Sequence, residues 1–170
     1  MTIATMLKQV EEHIVDFDQM LDQKMMAEQL KKLSDGLVRE MRGDRNGGAA
    51  EKAQKLCGLT DQLVQLKGGK PKRGVRDQLE SVERKFTNMI HSLLLQEHHA
   101  IVHGMEHFDF NEREATENQW KRLTDRMELM KEIRNAVPHP PIDEADLFLM
   151  ERDLKALGKK VEEHLETLAA

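Results

Sequence analysis

Histidines are the residues of this chain best suited to bind a metal ion, and five of the eight fall between positions 91 and 107. His99, His103 and His107 are four residues apart, so on a helix they lie on successive turns. Neutral imidazoles at this spacing can chelate a divalent ion, although a tetrahedral site needs ligands from another helix. His164 and His13 flank the apolar stripes of two other helices. One interpretation is therefore a metal-binding helical bundle, with zinc or iron held by His99, His103, His107, His164 and His13.

The same segment has a second interpretation, as a contact surface without a metal. At 100° per residue, His99 and His103 fall nearly opposite the main apolar stripe of their helix, and Leu95 and Val102 lie beside them. A helix that is apolar on more than one side is either central in a bundle or part of an interface. Trp120, on the next helix, is a residue type that often binds a partner. We predict an interaction surface of Leu95, His99, Val102, His103 and Trp120.

One short segment resembles a known family. The run HIVDFD, residues 13–18, is similar to the H-I-x-x-x-D fragment of hemerythrins, which implies iron and oxygen binding in a helical bundle. The rest of the chain departs from that pattern, because no histidine is followed four residues later by glutamate and the order of iron ligands is not reproduced. We predict no membership of that family.

Motifs of the common enzyme classes are absent from the sequence. It contains no phosphate-binding loop, dinucleotide fingerprint, H-E-x-x-H zinc motif or nucleophile elbow. Cys57, between apolar residues in LCGL, could be a nucleophile, but a small thiol packed in the core is the simpler interpretation. The sequence therefore favours a non-catalytic protein.

Composition narrows the class of protein further. Of the 170 residues, 34% are charged and 4% aromatic, with no tyrosine, and the abundant Leu, Met, Glu, Lys and Gln are helix formers. A net charge of -5 disfavours nucleic acid as a partner. No apolar run approaches the roughly 20 residues of a membrane span, and one cysteine cannot form an internal disulfide. We expect a cytoplasmic protein that binds neither nucleic acid nor membrane.

Apolar residues recur at spacings of three and four along most of the chain, which is the period of an amphipathic helix. Glycine, proline and charged residues interrupt the pattern near positions 43–48, 67–74 and 137–142. The sequence predicts a single domain over 1–170, an all-α, elongated antiparallel bundle of about five helices with coiled-coil-like seams. The predicted helices are 3–42, 49–66, 75–108, 112–135 and 143–168, with a flexible basic linker at 67–74.

Long helices of this kind often have more apolar stripe than one small chain can cover. We therefore predict a non-catalytic interaction module, an adaptor, chaperone or assembly subunit, that binds a protein partner or forms a homo-oligomer. The metal-binding bundle, as zinc or iron sensor, store or oxygen-binding protein, stays open as the alternative.

Overall fold

A computed structural model describes residues 2–17, 23–44 and 48–169 of the chain. Within these ranges all regular structure is helical, without a β-strand, and the predicted all-α helical bundle is confirmed. The described helices are α1 (Ile3–Asp16), α2 (Gln23–Gly43), α3 (Ala49–Gly68), α4 (Arg73–Glu106), α5 (Arg113–Ala136) and α6 (Glu144–Ala169). None of these described helices is long and apolar enough to cross a membrane.

The helix expected over 3–42 is instead two helices, α1 and α2, that pack against each other. Gly36 of α2 marks this close approach, because a Cβ atom there would lie 3.6 Å from Met6 Cε of α1. The spacing of three and four continues on both sides of residue 17, so the apolar pattern does not show that the chain changes direction. Residues 18–22, which the prediction placed inside that helix, lie outside the described ranges.

The basic linker is shorter than expected. The predicted linker covers 67–74, but α3 continues to Gly68 and α4 begins at Arg73, which leaves residues 69–72 between the helices. Lys70 has a φ of 55°, in the left-handed region, and lies at the point where the chain leaves α3. Lys67 is held by an ion pair of 2.5 Å with Glu83 of α4, so it belongs to the helical packing.

The chain divides into two compact units, Met1–Ser92 and Leu93–Ala170, and α4 contributes residues to both. The prediction of a single domain stays a prediction. In the first unit, α1 packs on α2 and α3, and Lys85 of α4 forms an ion pair with Asp35 of α2. The largest fully buried side chains of this unit are Phe17, Leu30, Leu37, Met41, Leu56, Leu63, Leu79, Phe86, Met89 and Ile90.

The second unit consists of the last part of α4 with α5 and α6. Leu94 and Ile101 of α4, Met130 of α5 and Val161 of α6 are buried in its core. A Cβ atom on Gly104 would lie 3.3 Å from Leu123 Cδ1, so the glycine allows α5 to approach α4 closely. Burial of each large apolar side chain stabilises the folded state by about 1.5–3 kcal/mol.

Polar contacts fix the turn between α5 and α6. Arg134 is 8% exposed, and its Nε donates to the carbonyl of Ile142 at 2.8 Å. The same guanidinium donates to Glu144 Oε1 at 3.2 Å. Asp143 Oδ1 accepts a hydrogen bond of 2.7 Å from the backbone N–H of Asp146, so Asp143 caps α6.

The cap position at the start of α5 is Glu112, whose side chain makes no capping hydrogen bond. Asn111 stabilises the turn before the helix. Its backbone N–H donates to Thr116 Oγ1 at 3.0 Å, and its Oδ1 accepts from the backbone N–H of Glu112 at 2.9 Å.

Close packing at Gly158 of α6 gives a first prediction. A Cβ atom there would lie 3.1 Å from Trp120 Cζ2, whereas one on helical Gly58 of α3 would meet nothing within 4 Å. Replacing Gly58 with alanine should raise the free energy of unfolding by about 0.5–1 kcal/mol, since alanine is the better helix former. Gly158→Ala must displace the indole and should be at least about 1 kcal/mol less favourable than Gly58→Ala. An equal increase in the free energy of unfolding for both variants, measured by chemical denaturation, would contradict this packing.

Candidate functional site

The outer face of α4 in the second unit carries four of the five predicted contact residues. Leu95 is 40% exposed, His99 and His103 are exposed, and Val102 is half-buried. Ile101, two residues before His103, is fully buried, as expected for residues on opposite sides of a helix. The structure therefore places Leu95, His99, Val102 and His103 together, on the side of α4 that is turned away from its core.

Trp120, the fifth predicted contact residue, belongs to a different set of contacts. Its ring is half-buried and packs against Gly158 of α6. It also meets Phe108 edge to face, with ring centroids 6.5 Å apart. These contacts give Trp120 a packing role between the helices of the second unit, which its place in the apolar stripe of α5 already indicates.

His103 and His107 are in direct contact at the end of α4. Their rings stack with centroids 4.2 Å apart and an angle of 29° between the ring planes. His107 Nδ1 lies 3.1 Å from the backbone carbonyl oxygen of His103. Because a carbonyl only accepts, Nδ1 carries the hydrogen, and in the neutral ring Nε2 keeps its lone pair. His99, one turn earlier, instead has its ring beside that of His98, with centroids 5.7 Å apart.

The other two proposed metal ligands are engaged elsewhere. His164 Nε2 donates to the carbonyl oxygen of Asn111 at 2.6 Å, and its ring meets Phe110 at 5.4 Å. His13 lies on α1, in the first unit, and its Nδ1 donates to the carbonyl oxygen of Gln9 at 2.9 Å. Across residues 2–17, 23–44 and 48–169, no three His, Cys, Asp or Glu side chains are grouped so that they could hold a metal ion. The structure brings together His103 and His107 from the predicted set of five.

A buried ion pair was missed by the sequence analysis. Glu97 of α4 is 1% exposed, and Arg126 of α5 donates to its Oε1 through Nε at 2.7 Å, with a terminal guanidinium nitrogen in ion-pair contact at 2.5 Å. A buried carboxylate needs such partners because the loss of hydration is costly. The signal was present in the sequence, since Glu97 lies four residues from both Leu93 and Ile101 and so interrupts the apolar stripe of α4.

Two exposed apolar residues on α6 were also missed. Phe148 is 66% exposed and Leu149 43% exposed, whereas Leu147 and Met150 beside them are buried. Four consecutive apolar residues on a helix point through about 300° of rotation, so one core cannot cover all four. The run LFLM alone could have shown this, as Leu93-Leu94-Leu95 does for α4.

A groove of about 260 Å³ lies between α4 and α6 on this side of the second unit. Its lining combines apolar side chains with carboxylates and one ammonium group. The lining residues are Val102, Met105, Glu106, Asp153, Ala156, Leu157 and Lys160. A larger groove of about 370 Å³, between α1 and α3 of the first unit, contains none of the predicted site residues. The α4–α6 groove contains Val102, one of the predicted contact residues.

The cysteine has the environment of a packed thiol. Cys57 is half-buried on α3. Burial, assisted by the negative charge of Asp61, raises the pKa of the Cys57 thiol above its ordinary value. A raised pKa lowers the fraction of thiolate at neutral pH, which is the opposite of what a cysteine nucleophile needs.

Comparison with protein-family models, with curated proteins and with solved structures gives no match to this chain.

The environment of Cys57 gives a second prediction. At pH 8, iodoacetamide should alkylate Cys57 in the folded protein more slowly than it alkylates a free cysteine in a short peptide, since less thiolate is present. Asp61→Asn should accelerate the reaction, because removing the negative charge lowers the pKa of the thiol. Asp125→Asn, a matched change in α5, should leave the rate unchanged. Alkylation at the rate of the peptide would contradict the raised pKa of the Cys57 thiol.

Proposed function

We propose that this chain is a non-catalytic helical interaction module, acting in the cytoplasm, and that it assembles with a second copy of itself. The observation that supports the proposal is a surplus of exposed apolar side chains on α4 and α6 of the second unit, which together with the exposed histidines of α4 we name the α4–α6 face. It comprises Leu95, His99, Val102 and His103 of α4 with Phe148, Leu149 and Ala156 of α6.

The two helices present these residues side by side. Val102, Met105 and Glu106 of α4 share the groove with residues 153–160 of α6. Phe110, just beyond α4, meets His164 near the end of α6. The helices therefore run in the same direction along the groove. Leu95 precedes Val102 by seven residues and Leu149 precedes Ala156 by seven, so both leucines extend the groove by about two turns in the same direction.

An apolar groove between two helices is suited to a third helix, whose own stripe covers the exposed side chains. The charges around the groove favour a second copy as the occupant. Glu106 and Asp153 are negative and Lys160 is positive, so the edge of the groove contains both signs. A two-fold axis places the same surface on both partners, and a mixed edge can then pair its lysine with the carboxylates of the other copy.

The third prediction tests this interface by sedimentation velocity from low to high micromolar concentration. The unmodified protein should shift from monomer to dimer as the concentration rises. Leu149→Glu and Leu95→Glu should each weaken the dimer by roughly 100-fold, because each buries a carboxylate without a partner, at a cost of about 1–3 kcal/mol or more.

Val64→Glu is the matched control, since Val64 of α3 is 49% exposed but lies in the first unit. This variant should dimerise like the unmodified protein. A chain that sediments as a monomer at every concentration would refute self-assembly. Loss of the dimer in Val64→Glu with retention in Leu149→Glu would assign the interface to another surface.

A further inference from the structure

The end of α4 carries two adjacent imidazoles whose arrangement the contact surface does not require. His103 and His107 are both exposed, on successive turns, and their rings are 4.2 Å apart. We propose that His103 and His107 form a bidentate site for a divalent transition-metal ion, with Cu²⁺ preferred, then Ni²⁺, and that water completes the coordination.

The hydrogen bond of His107 prepares one of the two ligands. Its Nδ1 donates to the backbone carbonyl of His103, which fixes the tautomer and leaves Nε2 as the ligand nitrogen. Histidines that bind metals commonly donate their other ring nitrogen to a carbonyl or a carboxylate in this way. The carbonyl of His103 also accepts the backbone N–H of His107 at 3.0 Å, so the bond lies in the last turn of the helix.

The ring contact supports the site, and the ligand type gives the order of metals. With metal–nitrogen bonds of about 2.0–2.1 Å, two imidazoles bound to one ion have ring centroids about 4.5–5.2 Å apart, and the observed 4.2 Å is within about 1 Å of that range. Imidazole suits divalent transition metals, and the affinity of a given site for these ions rises to Ni²⁺ and then to Cu²⁺. Both rings are exposed, so small rotations can direct their lone pairs to one ion without repacking the core.

This inference shares His103 with the α4–α6 face but can be tested separately from the proposed dimer at His107. His107 lies outside the α4–α6 face as defined above, and its replacement leaves Leu95 and Leu149 in place. Two protein ligands hold an ion less tightly than the three or four of a structural zinc site, so we expect micromolar binding.

The experiment is a titration of the untagged protein with Ni²⁺ by calorimetry, and with Cu²⁺ by electron paramagnetic resonance. One ion should bind per chain, and the Cu²⁺ spectrum should show two equatorial imidazole nitrogens. His103→Gln and His107→Gln should each weaken Ni²⁺ binding by roughly tenfold or more, because a single imidazole remains. Far-UV circular dichroism checks that each variant is folded.

Two matched controls decide the assignment. His13→Gln removes an imidazole that makes the same Nδ1 hydrogen bond to a backbone carbonyl, but positions 9 and 17 hold glutamine and phenylalanine. His99→Gln removes the other possible partner of His103. Both variants should retain the affinity within about twofold. Loss of binding in His99→Gln with retention in His107→Gln would overturn the proposed pair, and so would a protein that binds neither Ni²⁺ nor Cu²⁺ at millimolar concentration.

Discussion

The structure depends on a geometric constraint, which is that an α-helix can direct only part of its circumference towards a core. Helices α4 and α6 each contain a run of apolar residues longer than one stripe can use, at 93–95 and at 147–150. Leu93, Leu94, Leu147 and Met150 enter the core, and the remaining members of the runs stay outside. The exposed apolar surface of the second unit therefore follows from the sequence of the helices that build its core. A chain selected only for its own folding would gain solubility from polar residues at these positions.

Polar contacts give this unit a defined arrangement. Hydrophobic burial has no direction, so it does not by itself fix how far one helix is shifted along another. The charged hydrogen bonds between Glu97 and Arg126 join α4 to α5 at one position. Arg134 binds the carbonyl of Ile142 and fixes the turn that leads to α6, while His164 binds the carbonyl of Asn111 near the opposite end of that helix. Together these contacts determine which residues of α4 and α6 face each other across the groove.

The sequence predicts the helices well where the apolar period and the helix-breaking residues agree. This holds for α3, α4, α5 and α6, whose bounds differ from the prediction by at most two residues. The outer face of α4 is also predictable, because the helical rotation of 100° per residue is enough to place its side chains. The separation of α1 from α2 is not predictable, since the spacing of three and four occurs on both sides of residue 17 and carries no information about chain direction. The pairing of Glu97 with Arg126 joins residues 29 apart, and no local pattern specifies it.

The two proposed properties of the second unit have different physical origins. The α4–α6 face exists because two runs of apolar residues exceed what the core can cover. The contact between His103 and His107 exists because residues four apart lie on successive turns, and the carbonyl of His103 accepts the ring N–H of His107. His103 belongs to both features, since it lies on the outer face and stacks on His107. A metal ion bound there would add positive charge close in sequence to Glu106, which lines the groove. Metal binding and self-assembly are therefore separable by substitution at His107 or Leu149, and coupled only through His103 and the charges around it.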